Sequence, residues 1–432
     1  MDDLKGKHVV VVGLGLSGIA ACKLLVSRGA VVTGTDKRTT VEPIDGVRLV
    51  LGGHEGAGIA DADLVVVSPG VPPFAELARA KRVWGEVELA VQLTKAVPVV
   101  AIGGTNGKST TTSIVGELLA RGLPAERKHV FVGGNLGEPL AAHADETFDA
   151  IVLEVSSFQM ERVEAFRPKV SELLNITPDH LDRYPDMDGY ARAKGNAFVQ
   201  QTSDDVAVVP VGDEVCLAQA RRGKGTIVTF GPGGDVDVRP DAIHDGHAVY
   251  PRAKIALQGG HNALNVAAAL AAVRPFGLDP DVVAHVLATF TGLPHRMVFV
   301  REREGVRFYD DSKGTNVGAS VTAVRGVSED KVVLVAGGRD KGGSYGPLVD
   351  ALKERGRAAV LIGEAAPLLA EALGDALPTR TASSMEEAVE LAAELAHPGD
   401  AVLLSPACSS FDMFRDYKAR GDAFVAAVEA LP

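Results

Sequence analysis

The chain has 432 residues, 46% hydrophobic and 23% charged, the balance of a globular protein, and at roughly 150 residues per domain it is long enough for about three domains. Its formal charge of −12 argues against a broad nucleic-acid footprint or an anionic membrane surface as partner, since both need clustered lysine and arginine. No stretch reaches the roughly 18 uninterrupted apolar residues of a membrane helix, and Cys22, Cys216 and Cys408 are too scattered for a C-x-x-C pair or a disulfide framework, so a reducing cytoplasm is expected.

The first predicted element is a strand over residues 8–12, followed by Gly13-Leu14-Gly15-Leu16-Ser17-Gly18 and a helical pattern through Leu24 and Leu25 to Gly29. A second strand over 31–35 ends at Asp36. This order is the βαβ dinucleotide fingerprint, which seats a diphosphate on the helix N-terminus and offers Asp36 to a ribose hydroxyl. The physics asks only for a diphosphate and a polar ring, so a UDP-sugar satisfies it as well as NAD does. A further strand over 63–67 ends in Ser68-Pro69-Gly70, at the carboxyl edge where open α/β sheets bind ligands.

A second unit begins with the apolar run 97–102 and Gly104-Thr105-Asn106-Gly107-Lys108-Ser109-Thr110. Glycines there let backbone N–H groups turn onto phosphate oxygens, Lys108 supplies a mobile charge, and the Ser109 hydroxyl can complete a Mg²⁺ shell at a helix N-terminus. Ile114, Val115, Leu118 and Leu119 then share one helical face, with Gly122 and Pro124 as its stop. A strict G-x-x-x-x-G-K-[ST] would place glycine at 102, where this chain has Ile102 and its glycines come at 103 and 104. Strand, glycines, Lys-Ser-Thr and amphipathic helix in that order still favour ATP or GTP over a bare βα turn.

Strands are expected next at 150–155, 170–175 and 206–209, while 231–251 reads as a turn-rich, polar surface β excursion of low functional interest and Gly259-Gly260-His261-Asn262 opens an alanine-rich helix. Glu154 emerges from its strand beside the phosphate loop as a Mg²⁺ ligand, with an N-cap on the next helix as the alternative. Asp179, His180, Asp182 and Arg183 crowd the segment after 170–175 more densely than solvation alone requires. Lys194, two turns into a following helix, reads locally as a solvated lysine.

A third unit starts at Leu293-Pro294-His295-Arg296. Apolar runs at 306–309, 332–336, 358–362 and 401–404 alternate with helical spans, and their polar ends include Asp310-Asp311-Ser312-Lys313, Gly337-Gly338-Arg339-Asp340-Lys341 and Ser405-Pro406-Ala407-Cys408-Ser409-Ser410. The expected fold class is α/β in three domains: an N-terminal Rossmann-like domain (1–93), a central P-loop mononucleotide-binding domain (94–292) and a C-terminal Rossmann-like doubly wound sheet (293–432).

Residues 13–18, 104–110, 154–159, 179–184, 260–265, 293–296, 310–316 and 405–411 resemble, in the same order, the motifs of the Mur ligases of peptidoglycan precursor synthesis. Gly-Leu-Gly-x-Ser-Gly, Asp-Asp-Ser-Lys-x-Thr-Asn and Ser-Pro-Ala-Cys-x-Ser-Phe-Asp-x-Phe are most similar to the branch that adds D-glutamate. The resemblance implies an ATP-dependent ligase that joins D-glutamate to UDP-N-acetylmuramoyl-L-alanine through an acyl phosphate. It implies that Gly15, Leu16, Ser17, Asp36, Arg38, Ser68 and Gly70 meet the uridine nucleotide and Asn135 the muramoyl part. Gly104, Thr105, Asn106, Gly107, Lys108, Ser109, Thr110, Asn265, Arg296 and Asp311 would bind ATP, and Thr315, Lys341, Ser410 and Tyr417 would bind D-glutamate. Lys108, Glu154, His180 and Lys194 would be catalytic, with Ser109, Glu154, His180 and Lys194 holding two Mg²⁺ ions, Lys194 as a carbamate formed with CO₂.

The resemblance also implies small-molecule substrates, no nucleic acid, no membrane insertion and a monomer. Two departures from the family pattern are Gly314, where alanine is usual and glycine is expected to loosen the backbone, and Tyr417, where phenylalanine is usual. A folylpolyglutamate-type ligase shares the second and third units but gives no reason for the amino-terminal βαβ glycine unit. An NAD-binding sensor or dehydrogenase predicts tight dinucleotide binding without amino-acid-dependent phosphate release, and a P-loop switch predicts slow hydrolysis indifferent to D-glutamate.

Overall fold

In this computed structural model residues 4–181, 183–341 and 344–432 are described; Asp182 of the crowded acidic segment lies outside them. The chain divides into two compact units: Met1–Ile176 with Asp188–Gln258 and Asn262–Phe290, and Thr177–Met187 with Gly259–His261 and Thr291–Pro432. Two of its three sheets lie in the first unit and one in the second. Among the described residues no helix is long and apolar enough to cross a membrane.

In the first unit β1 (His8–Val12), β2 (Val31–Asp36), β3 (Val47–Leu51), β4 (Leu64–Val67) and β5 (Val83–Gly85) form a parallel sheet in the order β3-β2-β1-β4-β5, with α1 (Leu16–Ser27) crossing from β1 to β2. Val9, Val10, Val11 and Val12 are shut from solvent on both faces, which is why β1 reads as an unbroken apolar run. The strand order reverses between β1 and β4, so the glycine loop after β1 and Ser68 after β4 flank the crevice that such sheets use for ligands.

From there α2 (Glu86–Leu93) leads to the central sheet: β6 (Val99–Gly103), β7 (Val130–Gly134), β8 (Ala150–Glu154), β9 (Val170–Leu173), β10 (Val206–Pro210), β11 (Thr226–Gly231), β12 (Val236–Val238), β13 (Ala242–Asp245) and β14 (Ala248–Pro251). Their order is β14-β13-β12-β11-β10-β9-β6-β8-β7, parallel except at β12-β13-β14. The connecting helices are α3 (Lys108–Gly122), α4 (Ser157–Met160), α5 (Met187–Gly195), α6 (Glu214–Ala220), α7 (Gly260–Val273) and α8 (Pro280–Thr289). Ile114 and Leu118 of α3, Val266 and Leu270 of α7 and Val286 of α8 share one core with Val100, Ile102, Val152 and Val208 of the sheet.

The stretch 231–251 is β-structured as expected, but it is not confined to the surface. It supplies β12, β13 and β14, and Val236, Ile243 and Tyr250 enter the central core. The polar, turn-rich composition hid that each of these short strands buries at least one side chain.

In the second unit β15 (Val298–Arg303), β16 (Val306–Asp310), β17 (Val332–Gly337), β18 (Gly356–Ile362), β19 (Thr379–Thr381) and β20 (Ala401–Leu404) are ordered β15-β16-β20-β17-β18-β19, antiparallel only at β15. Residues of α9 (Val317–Gly326), α10 (Gly346–Arg355) and α11 (Ala366–Leu373) pack with Leu334 and Ala336 on one face. Those of α12 (Met385–Leu395) and α13 (Tyr417–Ala430) pack with Val333 and Val335 on the other, as a doubly wound sheet requires.

Candidate active site

The central sheet delivers the phosphate loop as the strand-to-helix order demands: β6 ends at Gly103 and α3 begins at Lys108. Gly107 has φ +85°, and a Cβ there would collide with the Asn265 side chain, so conformation and space both require glycine. Asn175, just past β9, steadies the loop. Its Oδ1 accepts the N–H groups of Asn106 (2.8 Å) and Thr105 (3.2 Å), and its Nδ2 donates to Asn106 O (3.1 Å). Lys108 Nζ donates to Thr105 O (2.7 Å), and Ser109 and Thr110 are buried at the first turn of α3.

Lys194 is not solvated. It is 4% exposed, its Nζ donates to Gly104 O (2.6 Å) and lies 4.6 Å from the centre of the Tyr190 ring, whose hydroxyl is 3.2 Å from Thr105 Oγ1. Local sequence could not show this, because the layer that covers α5 comes from residues about 90 positions away.

Glu154 ends β8 in register with Ile102 of β6 and Gly134 of β7. It is 2% exposed; Oε1 accepts Asn135 Nδ2 (2.5 Å) and its backbone O accepts Asn135 N (2.9 Å). The N-cap of α4 is Ser156 instead, whose Oγ accepts Gln159 N (3.2 Å) while Gln159 Oε1 accepts Ser156 N (2.8 Å). Ser109 and Glu154 offer hard oxygen donors of the kind Mg²⁺ takes together with phosphate oxygens. Among the described residues no three His, Cys, Asp or Glu side chains gather to hold a metal. Lys194 as an ammonium has no lone pair to give; it fits a metal only once carbamylated.

His180 belongs to the segment Thr177–Met187 of the second unit. Its backbone is left-handed (φ 55°), its N–H donates to Asp179 Oδ1 (2.9 Å), and Asp179 Oδ2 accepts Asn316 Nδ2 (3.2 Å).

In the first sheet Gly13 (φ +86°) leaves no room for a Cβ beside Val71, and a Cβ on Gly18 would collide with Gly13 O, so α1 packs directly on the loop. At Gly15 a Cβ would meet nothing, and Leu16 is 79% exposed, which leaves that side of the loop open. Asp36 accepts Leu14 N (2.7 Å), Arg38 N (2.9 Å) and the Arg38 guanidinium (2.9 and 3.1 Å), and that guanidinium holds its carboxyl well below the usual range. Asp36 thus orders the loop through its own chain, with Ser68 Oγ donating to Gly13 O (2.6 Å) from the facing strand end.

In the second unit Asp311 is buried and accepts Ser405 Oγ (2.7 Å); burial pushes its pKa up to about 7. A Cβ on Gly314 would lie 2.5 Å from Ser405 Oγ and 2.6 Å from Asp311 Oδ2, so glycine there gives room to that pair rather than merely loosening the backbone. Thr315 follows on the same loop, Tyr417 opens α13 with Lys313 Nζ 3.9 Å from its ring centre, and Ser410 lies beside the backbone bridge between Arg339 and Ser409, two residues before half-buried Lys341.

Sequence reasoning missed Arg420. It is 1% exposed on α13, and its N–H groups end on neutral oxygens of three loops: Ser312 O (2.8 Å), Ser312 Oγ (3.0 Å), Cys408 O (3.1 Å) and Gly337 O (3.4 Å). Burial lowers its pKa to about 10. In the sequence, an arginine within a helix carries no signal that separates it from a solvated one.

Known proteins match the chain along nearly its whole length. Residues 7–85 match the MurD-like N-terminal domain of Mur ligases, 102–273 the Mur ligase middle domain, and 295–408 the Mur ligase glutamate ligase domain. The UDP-N-acetylmuramoylalanine--D-glutamate ligase of Geobacter metallireducens is 45% identical over 99% of this chain and 98% of its own length. A pseudomurein peptide ligase type C from Methanothermus fervidus shares the fold (TM-score 0.65, 19% identity, 98% and 99% of the two chains), as does the MurF ligase of Thermotoga maritima in complex with ADP (TM-score 0.61, 19% identity, 99% and 98%).

Proposed function

The chain belongs to the Mur ligase family, and from that premise we propose that it is the ATP-dependent ligase that joins the alanine carboxyl of UDP-N-acetylmuramoyl-L-alanine to the amine of D-glutamate, releasing ADP and phosphate, in peptidoglycan precursor synthesis. The observation that carries this reading is the carboxyl edge of the central sheet, where the loop 104–107 opens α3 and the buried carboxylate of Glu154 ends the adjacent strand. Residues 1–93 would bind the UDP portion, 94–292 ATP, and 293–432 the amino acid, in a cytoplasmic monomer. The MurD-like match over 7–85 supports this over a folylpolyglutamate-type reading.

A carboxylate is a poor electrophile because resonance spreads its charge. One of its oxygens first attacks the γ-phosphorus of ATP; the bond to the β,γ-bridging oxygen breaks, ADP leaves, and an acyl phosphate remains. The D-glutamate amine then attacks the acyl carbon, the bond from that carbon to the phosphate oxygen breaks, phosphate leaves, and the nitrogen loses a proton. The first step brings anions together, so Lys108 and the N-terminus of α3 take the charge that builds on the transferring group. Ser109 and Glu154 would hold Mg²⁺, which neutralises phosphate oxygens when bound.

Asn265, Arg296 and Asp311 extend the ATP assignment, and Thr315, Lys341, Ser410 and Tyr417 receive D-glutamate. Carbamylation by CO₂ would give Lys194 two oxygens and turn a donor to Gly104 into a second metal ligand. Phosphate release from ATP, measured with the muramoyl nucleotide and a panel of amino acids, tests the reading: release should require both co-substrates and prefer D-glutamate to L-glutamate. Release indifferent to the amino acid would favour a nucleotide switch instead.

A further inference from the structure

Two buried carboxylates of the first unit take no part in that chemistry. Glu86 and Glu88, 1% and 0% exposed, sit two residues apart in the first turn of α2, the helix that leads from the first sheet into the central one. Glu86 Oε1 accepts the N–H of Ala141 (2.9 Å), in the segment that leaves β7. Glu88 accepts the N–H groups of Glu164 (2.9 Å) and Ala165 (3.0 Å), in the segment that leaves β8, together with Gln92 Nε2 (3.1 Å). Just before them Gly85 N donates to Arg162 O (2.8 Å).

These two segments are the ones that carry Asn135 and Glu154. At their near ends Asn135 binds Glu154 through both side chain and backbone, and a Cβ on Gly134 would lie 2.6 Å from Glu154 O, so the two strand ends meet closely. Further along the chain, each segment is held by a carboxylate of α2. An apolar residue at 86 or 88 could also fill the space, but apolar contact is non-directional, whereas N–H···O bonds fix where each segment runs. Donors reach both oxygens of Glu88, whereas Glu86 Oε2 meets none among the described residues and burial pushes the Glu86 pKa up to about 7; in either contact, removing the carboxyl alone leaves an N–H without its acceptor.

We propose that Glu86 and Glu88 are positioning residues for the ligation, holding the Asn135 and Glu154 segments so that the muramoyl carboxyl is presented beside the phosphate site. The inference rests on the ligase reading. Its test measures kcat and separate KM values for the muramoyl nucleotide and ATP in the wild type, Glu88→Ala, Glu86→Leu and Glu86→Gln, each at a temperature where circular dichroism shows it folded. Glu88→Ala and Glu86→Leu should raise the muramoyl KM about tenfold and lower kcat while leaving the ATP KM within about twofold. Glu86→Gln, whose amide oxygen still accepts the Ala141 N–H, should stay near wild type.

Unchanged muramoyl KM and kcat in folded Glu88→Ala, or a Glu86→Gln variant as impaired as Glu86→Leu, would overturn the inference and leave a structural role alone. If Glu88→Ala does not fold, the Glu86 pair decides by the same criterion. An inactive wild type would sink the ligase reading and this inference with it, whereas the variant outcomes sink the inference alone.

Discussion

Glu154 and Glu172 lie in one row of the central sheet, one on either side of Ile102. Partners in parallel strands face the same way, so both carboxyls point to the face that Ile102 shares with α3 and α7. Glu154 ends its strand and is held by Asn135. Glu172 lies inside β9, 1% exposed, with neither oxygen hydrogen-bonded to any described residue, and burial pushes its pKa up to about 8.

Glu172 therefore makes stability depend on pH. Unfolded, a glutamate ionises near its ordinary value of 4.5; between there and about 8 the folded chain holds a proton the unfolded chain has lost. Its contribution is complete below that ordinary value, falls as pH rises, and is gone above about 8. Glu172→Met should leave unfolding free energy little changed near pH 5 and raise it by about 3 kcal/mol near pH 8.5. Urea unfolding at both pH values checks this; wild-type and variant curves that run parallel with pH would contradict it.

On the proposed reading, Lys108→Ala removes the charge that would face the transferring phosphoryl group. Turnover should fall by about a thousandfold or more with the fold intact. Phosphate release paired with circular dichroism measures both.

Lys194→Ala removes the group that would carry the carbamate. Activity should collapse and be partly restored by added short carboxylic acids that supply the missing oxygens. A variant fully active without additives would rule the carbamate out.

Arg420→Met leaves the carbonyls of Ser312, Gly337 and Cys408 without their common donor. Stability should fall by about 3 kcal/mol, and Arg420→Lys should recover little of it, because an ammonium cannot reach three loops in one plane. Denaturant midpoints of the two variants decide.

Where a strand is buried on both faces, sequence and structure agree closely: β1 and β20 have the expected bounds, and the phosphate loop sits between β6 and α3. Edge strands were less legible. Val83–Gly85 and Thr379–Thr381 have three residues each, too few for a period to show. The site was legible where chemistry is written in consecutive residues, as in 104–110, and illegible where it depends on partners distant in sequence. Asn175 beneath the loop, Lys194 against Gly104 O, Arg420 among three loops and Glu88 on Glu164 are all of that second kind.

The most direct test of the central claim follows oxygen. With the alanine carboxyl of the muramoyl nucleotide labelled with ¹⁸O, an acyl-phosphate route must carry one labelled atom into the released phosphate as the D-glutamyl amide forms. Mass spectrometry of that phosphate should find the label; amide formation with unlabelled phosphate would contradict the account.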